Sequence, residues 1–124
     1  TMPVKSTVML IVELNGKVLL QKRPSKGLWG GLWSFPECVS VETIDSLLQS
    51  LKLEELERTR LPEFRHTFTH YHLDIEPVRV SIRKTNRIAE PGVEIWFDVT
   101  APHPIGLTKP VTKILAELPA SRAR

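Results

Sequence analysis

Apolar and polar positions change rhythm several times along the chain, and each change marks an element. STVMLIVEL (6–14) is a continuous run of branched apolar residues, as expected of a strand buried on both faces. Asn15-Gly16 follows; both positions tolerate positive φ, which predicts a two-residue hairpin turn, and KVLLQKR (17–23) is the returning strand. PSKGLWGG (24–31) is a loop by its Pro, Ser and Gly content. In VETIDSLLQSLKL (41–53), Val41, Ile44, Leu47, Leu48 and Leu51 recur at spacings of three and four, the rhythm of an amphipathic helix. FRHTFTHYHLDIEPVRVSI (64–82) alternates aromatic, polar and branched residues and reads as extended, with Pro77 marking an edge or a bend. In one such strand His66, Phe68, His70 and His72 would share a face. EIWFDV (94–99) is a further strand. GLTKPVTKILAEL (106–118) closes with a helix: Thr108 as N-cap, Pro110 in the first turn, and Val111, Ile114, Leu115 and Leu118 as the apolar stripe. This order predicts an α+β domain with a mixed, curved β-sheet flanked by two main helices.

Composition narrows the class. A chain of 124 residues fits one domain, taken as 1–124, and buries a sizeable core without staples. With 41% hydrophobic and 25% charged residues it is an ordinary soluble globular composition. The longest apolar run, Val8 to Val12, is far too short to span a bilayer, and the start shows no signal-peptide pattern. Cys38 stands alone, which excludes an internal disulfide and a cysteine-ligated zinc or iron–sulfur centre, and agrees with a reducing compartment. The net charge of +3 is compatible with an anionic partner without requiring one. RVSIRKTNR (79–87) is basic and EELE (54–57) acidic; each also fits a solvated face.

Candidate chemistry begins at GLWGGLWSFPE (27–37). From Gly31 the chain reads glycine, five residues, then Glu37. That resembles the opening of the Nudix signature, G-x5-E-x7-R-E-U-x-E-E-x-G-U with U aliphatic, whose later glutamates hold magnesium beside a diphosphate. Counting on from Glu37, the Arg-Glu pair falls on Asp45 and Ser46, the Glu-Glu pair on Gln49 and Ser50, and the glycine on Lys52. Leu47 and Leu53 keep the aliphatic positions. Magnesium takes hard oxygen ligands, and Gln49 and Ser50 bring no charge, so this helix is not expected to hold a metal in that manner. A Nudix-like fold without Nudix chemistry is the expectation, with no catalytic residue and no metal site in this chain. Function then has to come from another site.

Residues 64–77 supply the candidate. His66, His70 and His72 are interleaved with Phe64, Phe68 and Tyr71. Three histidines suffice for zinc, although no acid or cysteine lies among them and the nearest acid is Asp74. Structural histidines in a strand are a second reading. A nucleic-acid contact is the third, with Phe68 stacking on or wedging beside a base and Thr69 and His70 reaching a base edge and a phosphate. Lys22, Arg23 and Lys26 fit solvent, DNA or another domain equally. Trp29 and Trp33 read as packing residues, and Gly27, Gly30 and Gly31 as turn formers or a phosphate cradle.

RPSKGLWGGLWSFPE, FRHTFTHYHLDI and GLTKPVTKIL, in this order, resemble the C-terminal domain of bacterial adenine DNA glycosylases, the MutY family, over nearly the whole chain. The resemblance implies a domain similar in fold to the MutT pyrophosphohydrolase that helps a parent enzyme recognise 8-oxoguanine opposite adenine, so that the mispaired adenine is excised in base excision repair. It implies that Phe68, Thr69 and His70 touch the oxidised base, with Thr69 where the family commonly has serine. His66, Arg23 and Lys26 are further candidates, by position and charge, for contact with DNA or the catalytic domain. The resemblance places the excision chemistry and a 4Fe-4S cluster in the parent's N-terminal catalytic domain, with no cofactor here, since this chain has one cysteine and no helix-hairpin-helix pattern. The chain is then expected to be one domain of a longer hydrolase. Its expected partners are double-stranded DNA holding 8-oxoguanine opposite adenine and that catalytic domain, with no membrane. The expected place is the bacterial cytoplasm, at the nucleoid. The alternative is a stand-alone Nudix hydrolase of oxidised nucleotides.

Overall fold

The computed structural model describes residues 1–101 and 104–118. Among these, eight strands and two α-helices follow in order: β1 (Val4–Leu14), β2 (Lys17–Lys22), β3 (Trp33–Ser34), β4 (Glu37–Cys38), α1 (Ile44–Ser50), β5 (Glu55–Arg60), β6 (Phe64–Thr67), β7 (His72–Ile82), β8 (Glu94–Asp98) and α2 (Lys109–Glu117). The strands join in one mixed sheet of order β3-β2-β1-β7-β5, with β4 on β1, β6 on β7 and β8 on β2. The α+β class with a mixed sheet and two helices is as the sequence predicts.

The spine is the parallel pair β1 and β7, in register from Val4 opposite His72 to Glu13 opposite Ser81. Parallel strands need cover on both faces, which is why β1 reads as an unbroken apolar run. One face packs Leu10, Val12, Leu19, Val78 and Val80 under Ile44 and Leu48 of α1. The other packs Met9, Ile11, Leu20, Ile75 and Phe97 under Val111 and Ile114 of α2. Asn15 (φ 53°) and Gly16 (φ 77°) make the expected hairpin turn. Beside that turn β1 and β2 pair only at Glu13–Val18 and Leu14–Lys17. Farther along, residues 33–38 enter between them: β3 pairs with β2, β4 pairs with β1, and the Leu10 amide donates to the Pro36 carbonyl at 2.8 Å.

Three expectations are corrected. The stretch 64–82 is not one strand but the hairpin β6–β7, turning at residues 68–71. Alternation therefore breaks at Phe68. His66 lies opposite Leu73 and His72 opposite Thr67, so His66 and His72 point to opposite faces. Pro77 lies within β7, flanked by β1 on one side and by β5 and β6 on the other, and is buried. Its missing N–H falls where β5 gives way to β6, and its carbonyl accepts from the Leu61 amide at 2.9 Å. The helix read over 41–53 is a 3-10 turn at Val41–Thr43 followed by the shorter α1.

The two charge runs are not independent faces either. Pairing of β5 with β7 brings them together: Arg83 meets Glu54 at 3.3 Å, while Arg79 meets Glu13 at 2.8 Å and Arg87 meets Glu94 at 2.6 Å. Arg23, Arg58, Arg60 and Arg65 likewise hold Glu37, Glu55, Glu76 and Asp74. Each described arginine thus carries an acid partner.

Candidate nucleic-acid interface

The β6–β7 hairpin builds its tip from the base upward. On one face Arg65 of β6 grips Asp74 of β7 with two hydrogen bonds, at 2.7 and 3.1 Å. These bonds hold the Asp74 carboxyl below its ordinary range, helped by the positive charge of Arg65. One rung nearer the tip, Thr67 Oγ1 and His72 Nδ1 lie 2.8 Å apart. The Phe68 amide then donates to the Tyr71 carbonyl at 2.8 Å and closes the turn. On the other face Phe64 and His66 stand beside Leu73 and Ile75, over the layer that α2 covers.

Within the turn the four residues divide sharply. The Phe68 ring points inward and is half-buried, with its centroid 4.6 Å from His66, 4.7 Å from Tyr71 and 5.2 Å from Trp29. The Trp29 and His66 rings are 5.6 Å apart. Thr69 and His70 are exposed, and their side chains enter no hydrogen bond among the described residues. The structure therefore brings Phe68, Thr69, His70 and His66 into one element, with Phe68 and His66 as its packing and Thr69 and His70 as its presented groups.

Trp29 arrives from the glycine loop, which is shaped for the purpose. Trp29 itself is in the left-handed region (φ 53°). A Cβ on Gly30 would lie 2.3 Å from the Ser25 carbonyl oxygen, so the chain passes there only without a side chain. Arg23 braces the loop from within: its Nε donates to the Leu28 carbonyl at 2.9 Å and its Nη1 to Glu37 at 3.0 Å, while its guanidinium stands 5.9 Å from the Trp29 ring. Lys26 is exposed on the same loop. Trp33 ties the loop's end to the start of α2, donating its amide to Gly106 at 2.9 Å and accepting from Thr108 at 3.1 Å. The residues that sequence reading left outside the site are Trp29 and Tyr71, which wall the turn; Tyr71 stood in the aromatic alternation, whereas nothing local marks Trp29 as its partner.

The Nudix-like helix keeps its backbone and lacks its ligands. Lys52 stands in the motif's glycine position and adopts φ 58°. The Leu53 amide donates to Leu48 and the Lys52 amide to Gln49, both at 3.0 Å, a Schellman cap with Leu48 and Leu53 in contact with the core. Gln49 and Ser50 are exposed, and Asp45 is held by Arg58 at 2.7 Å. Glu37 accepts from Thr7 Oγ1 at 2.8 Å as well as from Arg23, as a structural acid would. Together with Gln21, Lys22, Pro24, Ser34 and Phe35 this pair lines an open cavity of about 340 Å³. Among the described residues no three His, Cys, Asp or Glu side chains gather as a metal would need. Magnesium at the motif position does not fit this donor set, and one cysteine cannot hold an iron–sulfur cluster. Among the described residues no helix is long and apolar enough to cross a membrane.

Comparison with known proteins agrees with this reading of the backbone. Residues 7–117 match the NUDIX domain. The chain is similar to an adenine DNA glycosylase of Buchnera aphidicola subsp. Baizongia pistaciae: 31% identity over 109 residues, covering 88% of this chain and 31% of that protein. It spans about a third of the length of the Buchnera aphidicola relatives it matches. Among solved structures, a MutT NUDIX hydrolase from Burkholderia pseudomallei superposes with a TM-score of 0.69 at 18% identity, covering 94% of this chain and 98% of that one. The C-terminal domain of mouse MUTYH, from its complex with human PCNA, superposes with a TM-score of 0.66 at 20% identity, covering 90% and 84%. At such identities the structural likeness concerns the fold. The fold, the match over residues 7–117 and the retained cap at Lys52 lead to one assignment: the chain belongs to the NUDIX domain family.

Proposed function

We propose that this chain is the lesion-recognition module of an adenine DNA glycosylase, reading 8-oxoguanine opposite adenine through the turn Phe68–Tyr71. The observation that carries the reading is the division of labour in that turn: Phe68 is clamped among Trp29, His66 and Tyr71, while Thr69 and His70 face solvent with their hydrogen-bonding groups free among the described residues. A rigid aromatic base under exposed polar groups suits contact with a base edge and a phosphate. The curated relatives named adenine DNA glycosylase support the repair context.

The chemistry of the lesion favours a hydroxyl. Guanine offers N7 and O6 as acceptors in the major groove. Oxidation at C8 makes N7 a donor and adds a carbonyl, so a reader must accept where it formerly donated. Thr69 can accept from N7–H or donate to O8, whereas lysine and arginine cannot accept. One neutral hydrogen bond contributes about 0.5–1.5 kcal/mol, so Thr69 shares the discrimination with Phe68, backbone groups and the parent's catalytic domain. Excision belongs to that catalytic domain, with its 4Fe-4S cluster; among the described residues of this chain no carboxylates gather to hold a hydrolytic magnesium. Lys26, exposed on the supporting loop, is a secondary contact to DNA or the catalytic domain, while His66 and Arg23 hold the packing beneath the turn.

The test is NMR shift mapping of this chain titrated with a duplex holding 8-oxoguanine opposite adenine, against the same duplex with guanine. Shifts centred on residues 67–72 and larger for the lesion are expected. Shifts elsewhere, or equal for both duplexes, overturn the reading. Magnesium-dependent release of pyrophosphate from oxidised dGTP would replace it with the stand-alone hydrolase.

A further inference from the structure

Five groups stand in a file through the recognition turn and its supporting loop. Arg23 lies 5.9 Å from Trp29, Trp29 lies 5.2 Å from Phe68, Phe68 lies 4.7 Å from Tyr71, and the Lys5 ammonium stands 4.4 Å from the Tyr71 ring. The file has a cation at each end. The two ends differ in one respect: Arg23 is neutralised by Glu37 at 3.0 Å, whereas no acid lies within ion-pair distance of Lys5 among the described residues. Since each described arginine is paired, uncompensated positive charge beside the turn has to come from lysine. Lys113, which stands 5.1 Å from the Phe64 ring, is itself paired with Glu117 at 2.7 Å.

Backbone geometry fixes Lys5 beside the turn. The entry to β1 runs along the start of β7, with the His72 amide donating to the Pro3 carbonyl at 2.9 Å and Lys5 opposite Leu73. That register puts Lys5 on the face of the sheet that carries His66 and the aromatic cluster. Tyr71 supplies a π-face that steers the ammonium without neutralising it, and the remaining N–H donors stay available to an anion.

We infer that Lys5 is a backbone-phosphate contact that seats nucleic acid beside the Phe68–Tyr71 turn. This rests on the proposal that the turn reads DNA. A single phosphate contact has a defined signature: it steepens the fall of affinity with salt by about 0.9 in the log–log slope, and it carries no sequence information.

The experiment measures binding of the 124-residue chain to lesion and undamaged duplexes by fluorescence anisotropy, from low to physiological salt. Lys5→Gln is expected to flatten the slope by about 0.9 on both duplexes, leaving their affinity ratio unchanged. Lys5→Arg should retain the slope. Lys52→Gln, at the end of α1 on the other layer, should match the unaltered chain and controls for net charge. A slope unchanged by Lys5→Gln overturns the assignment, as it would if Lys5 faced an acidic surface of the parent's catalytic domain instead. Absence of binding by the unaltered chain even at low salt overturns the DNA-reading function itself, so the two failures are distinguishable.

Discussion

The indole of Trp29 stands 5.2 Å from the ring of Phe68, joining the glycine loop to the β6–β7 turn. Trp29 is half-buried and reaches this position only because the backbone turns left-handed beneath it and Gly30 clears the Ser25 carbonyl. Trp29→Ala removes the largest wall behind Phe68. It is expected to destabilise the chain by about 2 kcal/mol, below the range for a fully buried tryptophan, and to abolish any preference for the lesion duplex. Chemical denaturation and anisotropy read the two effects separately. An intact lesion preference in a folded Trp29→Ala variant would remove Trp29 from the site.

The exposed pair Thr69 and His70 should separate by duplex. If the chain serves the proposed function, Thr69→Ala is expected to lower the preference for 8-oxoguanine over guanine by up to about tenfold, with little effect on undamaged DNA. His70→Ala is expected to weaken both duplexes alike, as loss of a phosphate contact would. Equal losses from Thr69→Ala, or a lesion-selective loss from His70→Ala, would reverse the assigned roles.

Lys52 occupies a left-handed position that favours glycine. A non-glycine residue there carries a penalty of about 1–2 kcal/mol, partly offset by the lower unfolded-state entropy of lysine. Lys52→Gly is therefore expected to stabilise the chain by about 0.5–1 kcal/mol in urea denaturation, with the transition slope unchanged. A loss of stability would show that the Lys52 side chain contributes more than the backbone strain.

The Arg65–Asp74 clamp below the turn gives stability a pH dependence. Bonding from Arg65 holds the Asp74 carboxyl below its ordinary value, so its folded-state pKa is depressed. A depressed carboxyl contributes above its unfolded pKa and ceases to contribute as pH falls through the folded value. Asp74→Asn should thus be less stable than the unaltered chain at neutral pH, the two converging below about pH 4. Denaturation midpoints across that range check this, and a gap that persists in acid would assign the difference to packing rather than to charge.

Much of the fold was legible because local chemistry dictates it. The apolar run of β1, the Asn15-Gly16 turn and the α2 stripe each carry their own signal, and all three form as read. The break at residues 68–71 was not legible, because aromatic and polar residues alternate through it without glycine or proline to mark a turn. β5 was likewise hidden, since ELERTR is rich in charged residues, buries none of its side chains fully and becomes a strand by pairing with β7.

The sequence alone determined that the metal ligands of the Nudix-like helix are missing, because ligand identity is a property of residue type: Gln49 and Ser50 cannot supply carboxylate charge in any fold. It also marked Phe68, Thr69 and His70 as candidates. Only the tertiary structure decided that Phe68 packs inward while Thr69 and His70 face out, that His66 and His72 point to opposite faces, and that the basic run is compensated by acids from β1, from β8 and from the residue before β5. Those outcomes depend on which strands lie side by side, and strand pairing is settled by burial across the whole sheet rather than by any one segment.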